Sequence, residues 1–380
     1  MGGDRVAEAT WFGECCEPDT SRLTPAVRHG SRRLFAKIEE WLMRIFIYEF
    51  ACGGGLAGKP LPDSLAREGW AMLNAVVEDF ACVNDCQVIT SLDGRLKTRI
   101  LAAHSIVSLD SSPDGERRTI ERLAADSDWT LVIAPESENI LLDRVTWALS
   151  AGGRLLGSLP PGIAIASDKY ACGRRLEEAG VPVVVGQVVS PVERSVAEWT
   201  TFPAVFKPRD GAGSQHSYLV RDHVSLASSF EQALSDGLRG DGLLQPYVPG
   251  KAASVSLLVG PHETIPLLAG EQVLSTDGRF RYLGGRMPLE AEEARRAIEL
   301  ATRAVATLGG LQGFVGVDLV LGPDTVIELN PRLTTSYVGL RRLSLDNLAA
   351  CWLACCQGLD VSPIRWRPER ICFQADGTIA

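Results

Sequence analysis

The sequence predicts an α/β chain, with a parallel sheet layered by helices in its first half and mixed α+β subdomains in its second. Three observations carry that expectation. Between Met43 and residue 160, short β-prone runs alternate with segments of helical spacing, the pattern of strand–crossover–strand units. From Ser167 onward the runs shorten and helices become sparse. Near the C-terminus, two alternating apolar runs flank a Gly322-Pro323-Asp324 turn and place acidic side chains on one face of a hairpin.

Taken in order, residues 1–42 lack a clear period and read as a poorly ordered extension. The run Arg44-Ile-Phe-Ile-Tyr-Glu-Phe50 opens the first strand, and helical spacing follows over 65–83. Strand-like runs come at 86–92, 105–109, 129–134 and 154–159. Residues 167–180 read as a helix capped by Ser167, closed by Gly180 and stopped by Pro182. Further strand-like runs at 183–189, 204–207, 218–220, 243–247 and 253–259 surround one helix near 224–234. A helix over 289–308, the hairpin, and a last helix over 345–356 complete the reading. The boundaries expected are an extension 1–42, an α/β domain 43–165, subdomains 166–245 and 246–360, and a tail 361–380.

At 380 residues the chain is long enough for two to three domains. Its net charge of −9 argues against a nucleic-acid partner, which needs a basic face. No apolar run is long enough to span a bilayer, and the first 42 residues have no apolar core typical of a secretory signal. A cytoplasmic protein with reduced thiols is expected from ten cysteines in a chain of this size. Cys82/Cys86 and Cys351/Cys355 have i,i+4 spacing within helical patterns and no Cys-x-x-Cys occurs, which argues against a zinc site. Lysine is scarce: six residues, against 32 arginines. Codon usage explains the scarcity, but a compact ammonium kept in such a chain invites attention to its place.

The first strand runs into Gly53-Gly-Gly-Leu-Ala-Gly-Lys59-Pro60, which matches both GxGxxG and most of a phosphate-binding loop. Pro60 stands where the Mg²⁺-binding hydroxyl belongs, Pro60 and Pro62 prevent a helix from starting directly after the glycines, and no acid follows at the spacing a dinucleotide needs. The loop is expected to lie on the substrate side instead.

The hairpin is the strongest signal. Pairing Leu321 with Thr325 sets Asp318 opposite Glu328, with Val315, Val317, Leu319, Leu321, Ile327 and Leu329 on a core face and Asp318, Glu328 and Asn330 on the other. Two carboxylates and an amide converging this way suit Mg²⁺ (or Mn²⁺) shared with substrate phosphates. Arg332 adds a cation beside them. Lys207 ends a strand before the small-residue loop Pro208-Arg-Asp-Gly-Ala-Gly-Ser214, which is able to fold over a phosphate. Asp168-Lys169 opens a helix, and Gln245-Pro-Tyr-Val-Pro-Gly250 forms a bend with free backbone groups.

In this order and spacing, these four features resemble the ATP-grasp ligases over roughly residues 43–360. The resemblance implies an ATP-grasp fold with an N-terminal pre-ATP-grasp domain, ATP and Mg²⁺ (or Mn²⁺) as cofactors, and small-molecule amino acid and amine substrates. It assigns Lys169 and Lys207 to nucleotide phosphates and Gly211, Gly213 and Ser214 to a lid. Gln245, Tyr247 and Val248 would meet adenine, Asp318, Glu328 and Asn330 would hold the metal, and Arg332 would contact the phosphoryl group or a substrate carboxylate. A homodimer is common in the family. One departure is that Lys251-Ala252-Ala253 stands where an acid for the ribose hydroxyls is usual.

Phe46–Gly55, the segment Tyr282-Leu-Gly-Gly-Arg-Met-Pro288 and Leu329–Leu340 resemble one branch of the family, similar to tyramine–glutamate and tyrosine–glutamate ligases of methanofuran and methylofuran synthesis. That likeness makes Glu49 and Arg286 candidate substrate contacts, and His216, beside the lid, a candidate phosphate contact.

Overall fold

The computed structural model describes residues 42–109, 112, 114–193, 199–211 and 213–379. The expectation for the N-terminal extension lies outside the described residues. Strand β1 (Met43–Glu49) sits inside a parallel sheet of order β3–β2–β1–β4, with β2 (Cys86–Asp93), β3 (Ser105–Leu109) and β4 (Trp129–Ile133). Met43 pairs with Cys86 on one side and Ile45 with Trp129 on the other. Both faces of the sheet are covered, so β1 and β4 read as near-continuous apolar runs. Helix α1 (Asp63–Ala81) packs Leu73, Val76 and Phe80 on one face, while α2 (Gly115–Ala125) and α3 (Ile140–Ser150) cover the other.

The run at 154–159 does not form a strand. Only Leu155 bridges to Thr130, because Gly157 and the following prolines end the extended segment. Those prolines open α4 (Pro160–Ser167), at positions whose missing N–H costs a helix nothing. Ser167 therefore ends one helix, and Asp168 caps the next, α5 (Lys169–Glu178), by accepting from the N–H groups of Tyr170 and Ala171. Cys82 lies just past α1 and Cys86 opens β2, so that pair does not share a helix.

A four-stranded antiparallel sheet of order β5–β8–β6–β7 follows, from β5 (Gln187–Val189), β6 (Ala204–Pro208), β7 (Tyr218–Val220) and β8 (Gly242–Pro246). Its core is its own: Phe206 and Leu244 of the sheet pack with Phe230 of α6 (His223–Ser235). The chain then builds a six-stranded sheet of order β13–β12–β9–β10–β11–β14, with β9 (Lys251–Val259), β10 (Thr264–Leu274), β11 (Tyr282–Met287), β12 (Gly313–Leu321), β13 (Thr325–Asn330) and β14 (Ile371–Gln374). Helix α7 (Ala291–Thr307) buries Ala297, Leu300, Ala301 and Ala304 against it.

β10 and β11 escape sequence reading. Pro266 interrupts the first, and the register shifts between Pro266 and Ala269 to accommodate it. The expected last helix is α9 (Leu348–Cys356), capped by the Asn347 side chain, and a further helix that the sequence reading lacked, α8 (Ser336–Leu343), precedes it. Residues 361–380, expected as a tail, supply β14 as the edge strand of the six-stranded sheet.

Candidate active site

A cleft of about 700 Å³ opens between the four-stranded and six-stranded sheets. Its walls include Lys169, Lys207, Gly211, Gly213, Ser214, Gln245, Tyr247, Val248, Arg286, Asp318, Glu328, Asn330 and Arg332, all candidates from the sequence. Three further candidates do not line it. Glu49 is buried, accepting the Cys52 N–H at 2.7 Å. His216 carries a buried Nδ1 without a partner among the described residues, and burial lowers its pKa. The glycine loop turns on itself, with Gly53, Gly55 and Ala57 donating to the carbonyls of Glu49, Phe50 and Gly54. A Cβ at Gly55 would stand 2.1 Å from the Phe50 ring, so packing explains that glycine.

At the charged end, β12 and β13 set Asp318 opposite Glu328, as the alternation requires. The turn end differs from the expected register: Val320, not Leu321, pairs with Thr325, and a bulge between Asp318 and Leu319 absorbs the offset. The bulge buries Val326 and turns Ile327 into the cleft instead of the core. Lys169 and Lys207 both approach Glu328 Oε2, at 3.5 and 3.9 Å. Gln272 Nε2 and Asn330 Nδ2 donate to Asp318 at 2.9 and 3.1 Å.

Burial disfavours charge on all of these groups. It pushes Glu328 up, but the two lysines outweigh it and hold that carboxyl below its ordinary value. Asp318 has no such partner, and burial together with the facing charge of Glu328 raises it. Burial pushes Lys207 down to about 8 against the pull of Glu328. Two lysines thus face the two carboxylates, and Asp318 holds its proton more tightly than an ordinary carboxyl. Among the described residues no group of three or more His, Cys, Asp and Glu side chains gathers as a metal site, and here the oxygen donors are two carboxylates and the Asn330 amide. The donor set and the raised Asp318 fit a divalent ion.

Arg332, on the segment leaving β13, is held by Glu136, with Nη2 donating to Oε2 at 3.0 Å and Nε 2.9 Å from Oε1. Asp168 clamps the start of the small-residue loop by pairing with Arg209 at 2.6 Å, and Lys169 Nζ donates to the Gly211 carbonyl at 2.6 Å. Gly213 and Ser214 both take positive φ, 69° and 58°, giving the loop a tight turn beside the lysines. At the other end, Gln245 Nε2 donates to the Val184 carbonyl at 2.5 Å, and the Tyr247 ring stacks on Phe280 with centroids 6.2 Å apart. That end offers flat apolar surface edged by backbone groups.

Sequence reasoning missed Glu68, Glu136, Glu271, Gln272 and Tyr282. Gln272 and Glu271 lie on β10, which was not read as a strand, and Glu68 and Glu136 come from the N-terminal domain, far away in sequence. Only the segment containing Tyr282 carried a signal, read for Arg286 alone.

A cleft gripped by two antiparallel sheets, charged at one end and flat and apolar at the other, defines the class of proteins that clasp a nucleotide between subdomains. Residues 86–163 match the pre-ATP-grasp domain and residues 166–336 the ATP-grasp domain. The chain belongs to the ATP-grasp family. Its curated relatives include the tyramine–L-glutamate ligases of Methanocaldococcus fervens and Methanocaldococcus jannaschii, 25% and 26% identical. Each alignment covers 78% of this chain, and 89% and 84% of those relatives. An ATP-grasp superfamily protein from Archaeoglobus fulgidus, of known crystal structure, is 26% identical, with a TM-score of 0.65 over 87% of this chain and 92% of that one.

Proposed function

We propose that the protein is an ATP-dependent carboxylate–amine ligase that joins L-glutamate to tyramine or tyrosine through an acyl phosphate, in the synthesis of a methanofuran or methylofuran cofactor. The observation that carries the ligase reading is the convergence of Lys169 and Lys207 on Glu328, across from Asp318 and beside a buried Arg332. Phosphoryl transfer needs such preplaced charge more than it needs a nucleophile on the protein. The likeness to the tyramine–L-glutamate ligases supports the choice of substrates.

In this reading Gln245, Tyr247 and Val248 seat the adenine, and Lys169 and Lys207 take the phosphates. Asp318, Glu328 and Asn330 hold Mg²⁺, which when bound screens the phosphate oxygens and stabilises charge on the transferring group. Arg332, oriented by Glu136, steadies the acid substrate against the phosphoryl group. The Gly211–Ser214 segment excludes water while the acyl phosphate awaits the amine. Lys251 is held by Glu293 at 2.5 Å, so Ala252 leaves the usual ribose acid without a substitute at that position.

The test is ADP release with ATP, Mg²⁺, L-glutamate and either tyramine or tyrosine. Turnover is expected only with a complete pair, and Asp318→Ala or Glu328→Ala is expected to reduce it at least a hundredfold. Turnover that survives both substitutions refutes the metal assignment. Nucleotide binding without turnover on any amine and acid pair favours a non-catalytic nucleotide binder, the reading that the missing ribose acid would suit.

A further inference from the structure

We infer that Glu68 binds the cationic amino group of the acceptor amine and so selects charged amines as nucleophiles. This rests on the ligase reading above and deepens it.

Four carboxylates line the cleft: Glu68, Glu271, Asp318 and Glu328. Three are matched. Glu328 meets Lys169 and Lys207, Asp318 accepts from Gln272 and Asn330, and Glu271 lies 3.4 Å from Arg286. Glu68 has no cation within 4 Å among the described residues. Its one hydrogen bond there comes from Thr335 Oγ1 to Oε1 at 2.8 Å, which fixes the side chain and leaves the second oxygen without a donor among the described residues.

Its position suits an acceptor site. Glu68 projects from α1 in the N-terminal domain toward the segment after β13 that carries Arg332 and Thr335. Its charge is felt by both Arg332 and Tyr282, which places it at the substrate end of the cleft, away from Tyr247 and Phe280. At the next residue, Gly69, a Cβ would stand 2.6 Å from both carboxylate oxygens of Glu49, so a larger side chain would have to push the buried Glu49 carboxylate aside.

An aliphatic amine with a pKa near that of lysine, about 10.4, arrives protonated at neutral pH. Bringing it beside Lys207 and Arg332 without an anion would cost several kcal/mol of repulsion and lost hydration. A carboxylate with one free oxygen offsets that cost and orients the nitrogen. The nitrogen gives up a proton to an acyl-phosphate oxygen before its lone pair attacks the acyl carbon and phosphate leaves.

The test compares tyramine with hydroxylamine as nucleophile, in the presence of ATP, Mg²⁺ and L-glutamate at pH 7.5. Hydroxylamine is neutral at this pH and needs no anion. For Glu68→Gln, kcat/KM for tyramine is expected to fall at least tenfold, mostly through KM, while hydroxamate formation stays within twofold of wild type. Glu68→Asp, which keeps the charge, is expected to recover part of the tyramine reaction. A tyramine loss below tenfold, or a parallel loss of hydroxamate, overturns the inference and leaves the ligase reading standing. A wild-type protein that forms no hydroxamate and releases no ADP refutes the ligase reading, and the inference with it.

Discussion

Lys207 is 7% exposed and sits at the end of a strand whose neighbours are fully packed. Arginine there carries the same charge on a wider, planar head that a closed site does not accept. Lys207→Arg is expected to reduce turnover at least tenfold, whereas Lys59→Arg, on an exposed lysine of the glycine loop, leaves steady-state rates unchanged. Glu49 supplies the pH dependence. Burial, with the charge of Glu68 adding to it, raises its pKa from 4.5 to about 7, although the N–H groups of Cys52 and Ala51 pull the other way. A carboxyl that binds its proton more tightly when folded favours the folded state at acid pH. That contribution is lost as pH rises from about 4.5 to 7, up to about 3 kcal/mol. Glu49→Gln removes the titration, so denaturant unfolding at pH 5 and pH 8 should show a flatter pH dependence for the variant. Equal slopes for the two proteins would sink the assignment. At this scale the sequence was most informative: the placement of Lys169, Lys207 and the hairpin acids follows from strand alternation and helix starts, which are local. Glu49 shows the limit, because whether an acid at a strand end faces ligand or core depends on what packs over it, here α1 through Gly69.

Among the elements, the glycine loop and the hairpin teach opposite lessons. The loop matches two phosphate motifs, yet the N–H groups of Gly53, Gly55, Ala57 and Lys59 are spent on the carbonyls of Glu49, Phe50, Gly54 and Leu56, and Arg95 fastens the Leu56 and Lys59 carbonyls at 2.9 and 2.7 Å. Gly55→Ala should therefore lower stability by about 1–3 kcal/mol through overpacking on Phe50, while the KM for ATP of the folded protein stays put. A rise in that KM with no change in melting temperature would restore a phosphate-binding role. The hairpin was legible because one face is core: a slip by one residue would bury Asp318. Its bulge was not, since an extra residue leaves the polar set intact and shows only in which of Val326 and Ile327 is buried. β10 was lost for a similar reason. Pro266 argues against a strand locally, and only the partners on both sides, β9 and β11, hold the segment extended.

For the whole molecule, two of the sheets share a core and the third does not. Ile45 and Trp129 of the parallel sheet lie in one apolar cluster with Phe314, Tyr337 and Trp352 of the C-terminal half. The seam is closed by Asp79 of α1, which accepts from the Tyr337 hydroxyl at 2.7 Å and from Arg341 at 2.6 Å. The four-stranded sheet over the cleft keeps a separate cluster around Phe206 and Phe230. In the proposed reading, that separate core lets the β5–β8 subdomain move as a lid without disturbing the base on which the acids stand. Asp79→Ala strands the Tyr337 hydroxyl, fully buried, and half-releases Arg341, a cost of about 2–4 kcal/mol. Hydrogen exchange should report faster opening in β1, α1 and α8 of that variant, with β6 and β8 exchanging as in wild type. Adding ATP and Mg²⁺ should instead slow exchange in β6, β8 and the 208–217 segment, because in the proposed reading the ligand spans the gap between the four-stranded sheet and the rest of the molecule. If Asp79→Ala accelerates exchange equally in β6 and β8, the small sheet is not an independent unit, and lid motion must be sought within the 208–217 segment alone.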